Sequence, residues 1–231
     1  MSLSRPPTRI PFPRWPATVA LAALAMAAGF GPADAGSLTI TVLGTDGQPA
    51  ANVVVQALPL SPLLPRPGTA PVVITQKDIR FVPYVTAVPV GTTVRFVNAD
   101  SFDHHLRSQP AGPLGTVPAA KDFEFRLHGA TPASVATADV KLDVAGTIVL
   151  GCHLHNSMRG HVYVSSTPFV GVTDAAGRVT LADVPEGDAT LKVWHPEQVS
   201  DQAELHATVT NRAAGPGVSA TLNFTPRRRR T

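Results

Sequence analysis

Short runs that alternate apolar and polar residues, punctuated by Gly, Pro, Asn and Asp, make up most of the chain beyond residue 36. No helical period accompanies them, so the pattern predicts an all-β protein. Leu38, Ile40 and Val42 alternate with threonines and end at Gly44-Thr45-Asp46-Gly47, a turn that tolerates positive φ. A second strand is expected over residues 52–58, and the two together read as a hairpin. Residues 59–71 then hold five prolines in thirteen positions, which suits an extended linker and opposes a central strand. A domain boundary is expected there.

Strands are expected next at 72–76, 84–88, 92–98, 122–127, 140–144, 147–151 and 161–165. Val94 and Phe96 point one way along the third of these and Arg95 the other, as a half-buried strand requires. The Gly- and Pro-rich stretch 110–118 reads as a long loop. Seven short strands in about 95 residues is the size of one β-sandwich. Beyond Pro168, three more strands are expected at 169–173, 178–184 and 189–194, separated by Asp174-Ala175-Ala176-Gly177 and Pro185-Glu186-Gly187. Three strands make no sandwich alone. Joined to residues 37–58 they would form a small second sandwich into which the middle domain is inserted. The expected organisation is therefore 37–65 and 168–210 as the two parts of the small sandwich, 66–167 as the inserted domain, and 211–231 as a disordered basic tail.

Composition places this architecture outside the cytoplasm. Residues 1–35 carry a basic stretch with Arg5, Arg9 and Arg14, an apolar run from Ala17 to Phe30, and the small-residue site Ala33-Asp34-Ala35. They read as a secretory signal cleaved after Ala35, and a periplasmic or secreted protein without a membrane span is expected. Without those residues the charge is 16 basic against 15 acidic, and four of the positives are Arg227 to Arg230. No interleaving of aromatic and basic residues for nucleic acid accompanies that terminal run.

The exported chain would retain one Cys, Cys152, and one Met, Met158. A lone thiol in an oxidising compartment closes no internal disulfide and needs protection. Cys152, His155 and Met158 stand at Cys-x2-His-x2-Met spacing, so one tight loop can bring thiolate, imidazole and thioether to one metal. That donor set suits copper shuttling between two oxidation states. A fourth ligand has to come from elsewhere. His104 follows the strand ending at Asn98 and would lie at the same end of a sandwich as Gly151. Its neighbour His105 competes for the role, although adjacent residues on an extended segment face opposite ways. His153 should point away from the metal, His161, at the start of a strand three residues after Met158, reads as a satisfied polar group, and His128 and His206 have no ligand-spaced partner.

Residues 72–165 resemble a cupredoxin, the Greek-key β-sandwich family of plastocyanin and amicyanin. The resemblance rests on Val88-Pro89-Val90-Gly91-Thr92-Thr93-Val94-Arg95-Phe96-Val97-Asn98, on the spacing Asn98-x-Asp100-x3-His104, and on the short amicyanin-like loop from Cys152 to Met158. It implies one type 1 (blue) copper ion held by His104, Cys152, His155 and Met158, with His155 nearest the surface, and single-electron transfer between redox partner proteins. Two positions depart from the family. Asp103 stands where Pro often precedes the ligand, and His105 where Asn often follows it and ties the ligand loops together. Residues 168–196, with Trp194-His195-Pro196, resemble exported methylamine-utilisation-like proteins, and the outer strands a carboxypeptidase-regulatory or transthyretin-like module.

An enzyme is not expected. A three-copper centre needs more histidine than the single His153-Leu154-His155 pair offers, and hydrolytic triads, Walker loops and zinc-protease helices are absent. The rival expectation is a copper-binding protein for delivery, buffering or storage, against which stands the single Met of the exported chain.

Overall fold

The computed structural model describes residues 35–60, 70–210 and 217–227. Most of the expected secretory signal and of the proline-rich linker lies outside them, and the expected cleavage point after Ala35 falls one residue inside the first strand. Among the described residues every regular element is β apart from a single 3-10 turn at Pro113–Gly115, which lies in the expected 110–118 loop. No helix among the described residues is long and apolar enough to cross a membrane.

Nine strands build the middle of the chain: β3 (Val72–Lys77), β4 (Arg80–Val82), β5 (Val85–Pro89), β6 (Thr92–Asn98), β7 (His104–Gln109), β8 (Glu124–Leu127), β9 (Thr137–Leu142), β10 (Gly146–Cys152) and β11 (Arg159–Ser165). They form two sheets, ordered β4-β3-β6-β9 and β5-β11-β10-β7-β8. The chain passes repeatedly from one sheet to the other, so β3 lies parallel to β6 and β5 parallel to β11. Alternate residues of both sheets meet between them: Ile74, Val94, Phe96 and Leu142 from one, Leu106, Ile148, Leu150, Val162 and Val164 from the other. Cys152 and Met158 belong to this same buried cluster. The core therefore extends without a break to the end of the sandwich where the chemistry was expected.

The flanking strands are β1 (Ala35–Leu43), β2 (Val54–Pro59), β12 (Val170–Val172), β13 (Arg178–Pro185), β14 (Gly187–Trp194), β15 (Leu205–Val209) and β16 (Val218–Thr221). They make sheets β13-β1-β16 and β12-β2-β14-β15 around a second apolar cluster that includes Ile40, Val55, Leu181 and Leu191. The two cores are bridged by polar contacts. Ser165 donates to Gln56 Oε1 at 2.7 Å, and Gln56 Nε2 donates to the Tyr163 hydroxyl at 3.0 Å.

Two expectations need correction. β1 and β2 are no hairpin: the turn after Gly44 exists, but the strands lie in different sheets and meet face to face through Leu38, Ile40 and Val42 against Val53, Val55 and Ala57. Asn52, with φ of 61°, sits at the crossover, and Asn tolerates that left-handed conformation better than most residues. Side-chain alternation reports which face of a strand is buried and is silent on its neighbour. The stretch 211–231 is likewise no uniform tail, because Val218–Thr221 runs parallel to β1 and buries Ala220.

Candidate metal centre

Three donors meet at one end of the middle sandwich. His104 opens β7, Cys152 closes β10, and His155 stands on the loop between β10 and β11. β7 and β10 are antiparallel neighbours with Cys152 opposite Leu106, which carries the inward-facing His104 to the same end as the thiol. Their ligand atoms all lie within 4.8 Å of one another. Cys152 Sγ is 3.7 Å from His104 Nδ1 and 3.6 Å from His155 Nδ1, so both imidazoles turn the same nitrogen toward the sulfur. The rings are 4.8 Å apart, and Phe102 packs against both, at 5.4 Å from His104 and 5.3 Å from His155. His104 and Cys152 are buried and His155 is half-buried. Met158 is buried in the same cluster as Cys152, and its backbone N–H donates to the His155 carbonyl at 2.9 Å, closing the loop into a turn.

The backbone adds one donor to the sulfur. His105 N–H points at Cys152 Sγ across 3.4 Å. The His105 side chain turns outward, where its Nε2 lies 2.9 Å from Glu124 Oε1. Alternation along β7 thus separates the two adjacent histidines, with His104 inside and His105 outside. The tie that an Asn after the ligand would provide is supplied by main chain, since His153 N–H donates to the His105 carbonyl at 2.9 Å.

Behind His104 stands a carboxylate that the sequence did not single out for a role. His104 Nε2 donates to Asp100 Oδ2 at 2.8 Å, and the same carboxylate accepts from the backbone N–H of Asp78 at 2.7 Å and of Ile79 at 3.2 Å. A carboxylate on the far nitrogen fixes the tautomer and ring plane of an imidazole ligand and raises its basicity. Burial alone would push the Asp100 carboxyl up, but the hydrogen bonds from His104 and the two backbone amides, together with the His104 charge, hold it below the usual carboxylate range.

Asn98 and Asp103 hold the loop that carries these groups. The Asn98 amide donates to the carbonyls of Phe102 at 2.8 Å and His128 at 2.9 Å, and its oxygen accepts from Asp100 N–H at 2.9 Å. Asp103, where the family often has Pro, accepts from Gly129 N–H at 2.9 Å and pairs with Arg126 at 2.8 Å. A side chain at Gly129 would collide with the Ser101 backbone, so the close approach requires glycine. Gln76, in register with Asn98 on β3, is fully buried, and neither of its amide atoms has a hydrogen-bond partner.

The donor chemistry fits a copper ion. A thiol with a backbone N–H on its sulfur, two imidazole Nδ1 atoms facing it and a thioether in the same core form a soft, pre-arranged set of the kind copper favours over harder cations. No other group of three His, Cys, Asp or Glu ligand atoms among the described residues lies so close together.

No protein-family model matches the sequence, and no curated protein matches it. Among solved structures the chain is similar to a Cu-containing nitrite reductase from Thermus scotoductus SA-01, at 25% identity and a TM-score of 0.36, over 48% of this chain and 26% of that one. It is also similar to an oxidised mutant of amicyanin, at 23% identity and a TM-score of 0.32, over 41% of this chain and 82% of that one. A second amicyanin mutant, in its Cu(I) form, overlaps 48% of this chain and 98% of its own at 21% identity and a TM-score of 0.33. Overlaps this partial assign no function by themselves.

Proposed function

We propose that this protein is an exported type 1 copper protein that passes single electrons between redox partner proteins. The observation that carries the proposal is the convergence of the Cys152 thiol with Nδ1 of His104 and of His155 at the end of a closed apolar core. A copper ion bound there would supply a one-electron couple. The protein's part is to keep the same arrangement in both oxidation states, so that little reorganisation accompanies each transfer. His104 is suited to that: it is fully buried and locked from behind by Asp100. Cys152 leaves the last position of a paired strand, and Met158 would complete the donor set and tune the potential.

His155 is the half-buried imidazole and the proposed port for electrons. Beside it, Phe102 and Leu154 remain 41% and 50% exposed, a small apolar patch suited to brief encounters. No catalytic role is proposed. Export rests on the charge and apolar pattern of residues 1–35, and the inserted domain 66–167 is proposed as the copper-binding unit. The outer strands, at 37–65 and 168–210, are proposed as a carboxypeptidase-regulatory-like module.

The test is to add Cu(II) to the pure protein and record the visible spectrum and midpoint potential. An intense blue band with reversible reduction is expected. A colourless or irreversibly reduced complex overturns electron transfer and favours delivery or storage. Within the same experiment, His104→Ala is expected to remove the band and His105→Ala to leave it largely intact, because only the first side chain faces the thiol. Loss of colour in the His105 variant alone would reverse the ligand assignment.

A further inference from the structure

On the outer face of the same strands, a second set of donors converges. His105 Nε2 lies 2.9 Å from Glu124 Oε1, and His153 Nε2 lies 3.4 Å from that same oxygen. The two imidazole rings are 4.9 Å apart and inclined by 41°. The three residues come from β7, β8 and the loop after β10, and their main chains are fixed to one another. β7 pairs with β8, and His153 N–H is bonded to the His105 carbonyl. Their side chains are 34%, 54% and 39% exposed in the order His105, Glu124, His153, so the tips have room to adjust and solvent has access.

We infer that His105, His153 and Glu124 form a second, surface-exposed binding site for a divalent cation such as Zn(II) or Cu(II). Two imidazoles and one carboxylate are a donor set for borderline cations and leave coordination positions open to water. The carboxylate is available for this. Among the described residues Glu124 has no Arg or Lys in salt-bridge reach. Arg126, the register partner of His105, is taken by Asp103 at 2.8 Å. Arg107, the register partner of Glu124, turns to the Gln109 amide, whose oxygen faces the guanidinium at 3.0 Å. Both imidazole Nε2 atoms approach the same Glu124 oxygen, at 2.9 and 3.4 Å, and binding draws the two exposed rings together around the ion. The ion would sit one residue along the chain from both His104 and Cys152 without using any donor of their site.

The site is tested by loading the full protein with one equivalent of copper and then titrating it with Zn(II), followed by calorimetry and by the blue band. One further ion is expected to bind with the band unchanged. Glu124→Gln and His153→Ala are each expected to weaken that uptake by about tenfold or more while keeping the band, which also reports that each variant is folded. The inference is overturned if the native protein takes up no second ion, or if both variants take it up as the native protein does. A protein that never turns blue, yet binds Zn(II) in a manner that depends on Glu124 and His153, keeps this site and loses the electron-transfer proposal.

Discussion

Replacing Cys152 by Ser is expected to abolish the intense blue absorption of the copper-loaded protein outright. The sulfur is the atom on which the site converges: both imidazole Nδ1 atoms and the His105 N–H address it within 3.4 to 3.7 Å. A serine oxygen is a harder donor with no low-lying charge transfer to copper, so any ion still held by His104 and His155 would be nearly colourless. The fold should survive. Serine is close to isosteric, it can still accept from His105 N–H, and one altered hydrogen bond costs on the order of 1 kcal/mol. Visible absorption and a thermal melt of the variant separate the two effects. A folded Cys152→Ser protein that remains blue would remove the thiolate from the site and with it the basis of the proposed function.

Much of the centre was legible in the sequence because its densest part is local. Cys152, His155 and Met158 sit within seven residues, and Cys152 and Met158 are the single Cys and Met beyond residue 35, so spacing alone placed them together. The core strands were legible because Val94 and Phe96 alternate with polar neighbours, while Ile74 and Leu150 sit in short apolar runs bounded by polar residues or Gly. β7 was not. Its six residues, His104 to Gln109, contain one aliphatic side chain, Leu106, and a single apolar position carries no period. The strand exists because β8 and β10 lie on either side of it and take up its main-chain hydrogen bonds. Placing His104 on a loop after Asn98 still put it at the correct end of the sandwich. The choice between His104 and His105 depended on strand alternation, which a loop would not have supplied.

The partners of these histidines were hidden for a different reason. Asp100 reaches His104 from the loop between β6 and β7 while accepting from backbone at 78 and 79, and Glu124 reaches His105 and His153 from β8. Asp100 stands only four residues before His104 and within the quoted Asn98-x-Asp100-x3-His104 spacing, but that spacing says nothing of its contact with the ring, and its contacts to 78 and 79, like those of Glu124, cross between strands. The sheet partners of β1 were hidden likewise, because Val218–Thr221 reaches it from the end of the chain.

Asp100 carries the second large effect. Asp100→Ala is expected to lower the stability of the metal-free protein by at least about 1–3 kcal/mol, the cost of leaving one buried donor without its acceptor. The variant leaves three donors without an acceptor: the Asp78 and Ile79 N–H groups and His104 Nε2, in a place where the lost carboxylate was only 7% exposed. Asp100→Asn is informative because it keeps the volume. One carboxylate oxygen accepts from Asp78, the other from both Ile79 and His104. Either orientation of the amide therefore sets its NH2 against at least one donor, and a loss of about 1–3 kcal/mol follows. The pH dependence has a definite sign. The folded carboxyl titrates below its ordinary value of 3.8, so its contribution is complete above that value and fades as pH falls through the folded one. The native protein should lose stability over that acid interval, and the Asn variant, with nothing to protonate at this position, should show a shallower loss. Denaturant midpoints of both proteins at neutral pH and through the acid range measure this directly. Equal midpoints at neutral pH, or parallel acid limbs, would mean that the Asp100 bridge contributes no net stability and that His104 is held by the packing of β7 and Phe102 alone.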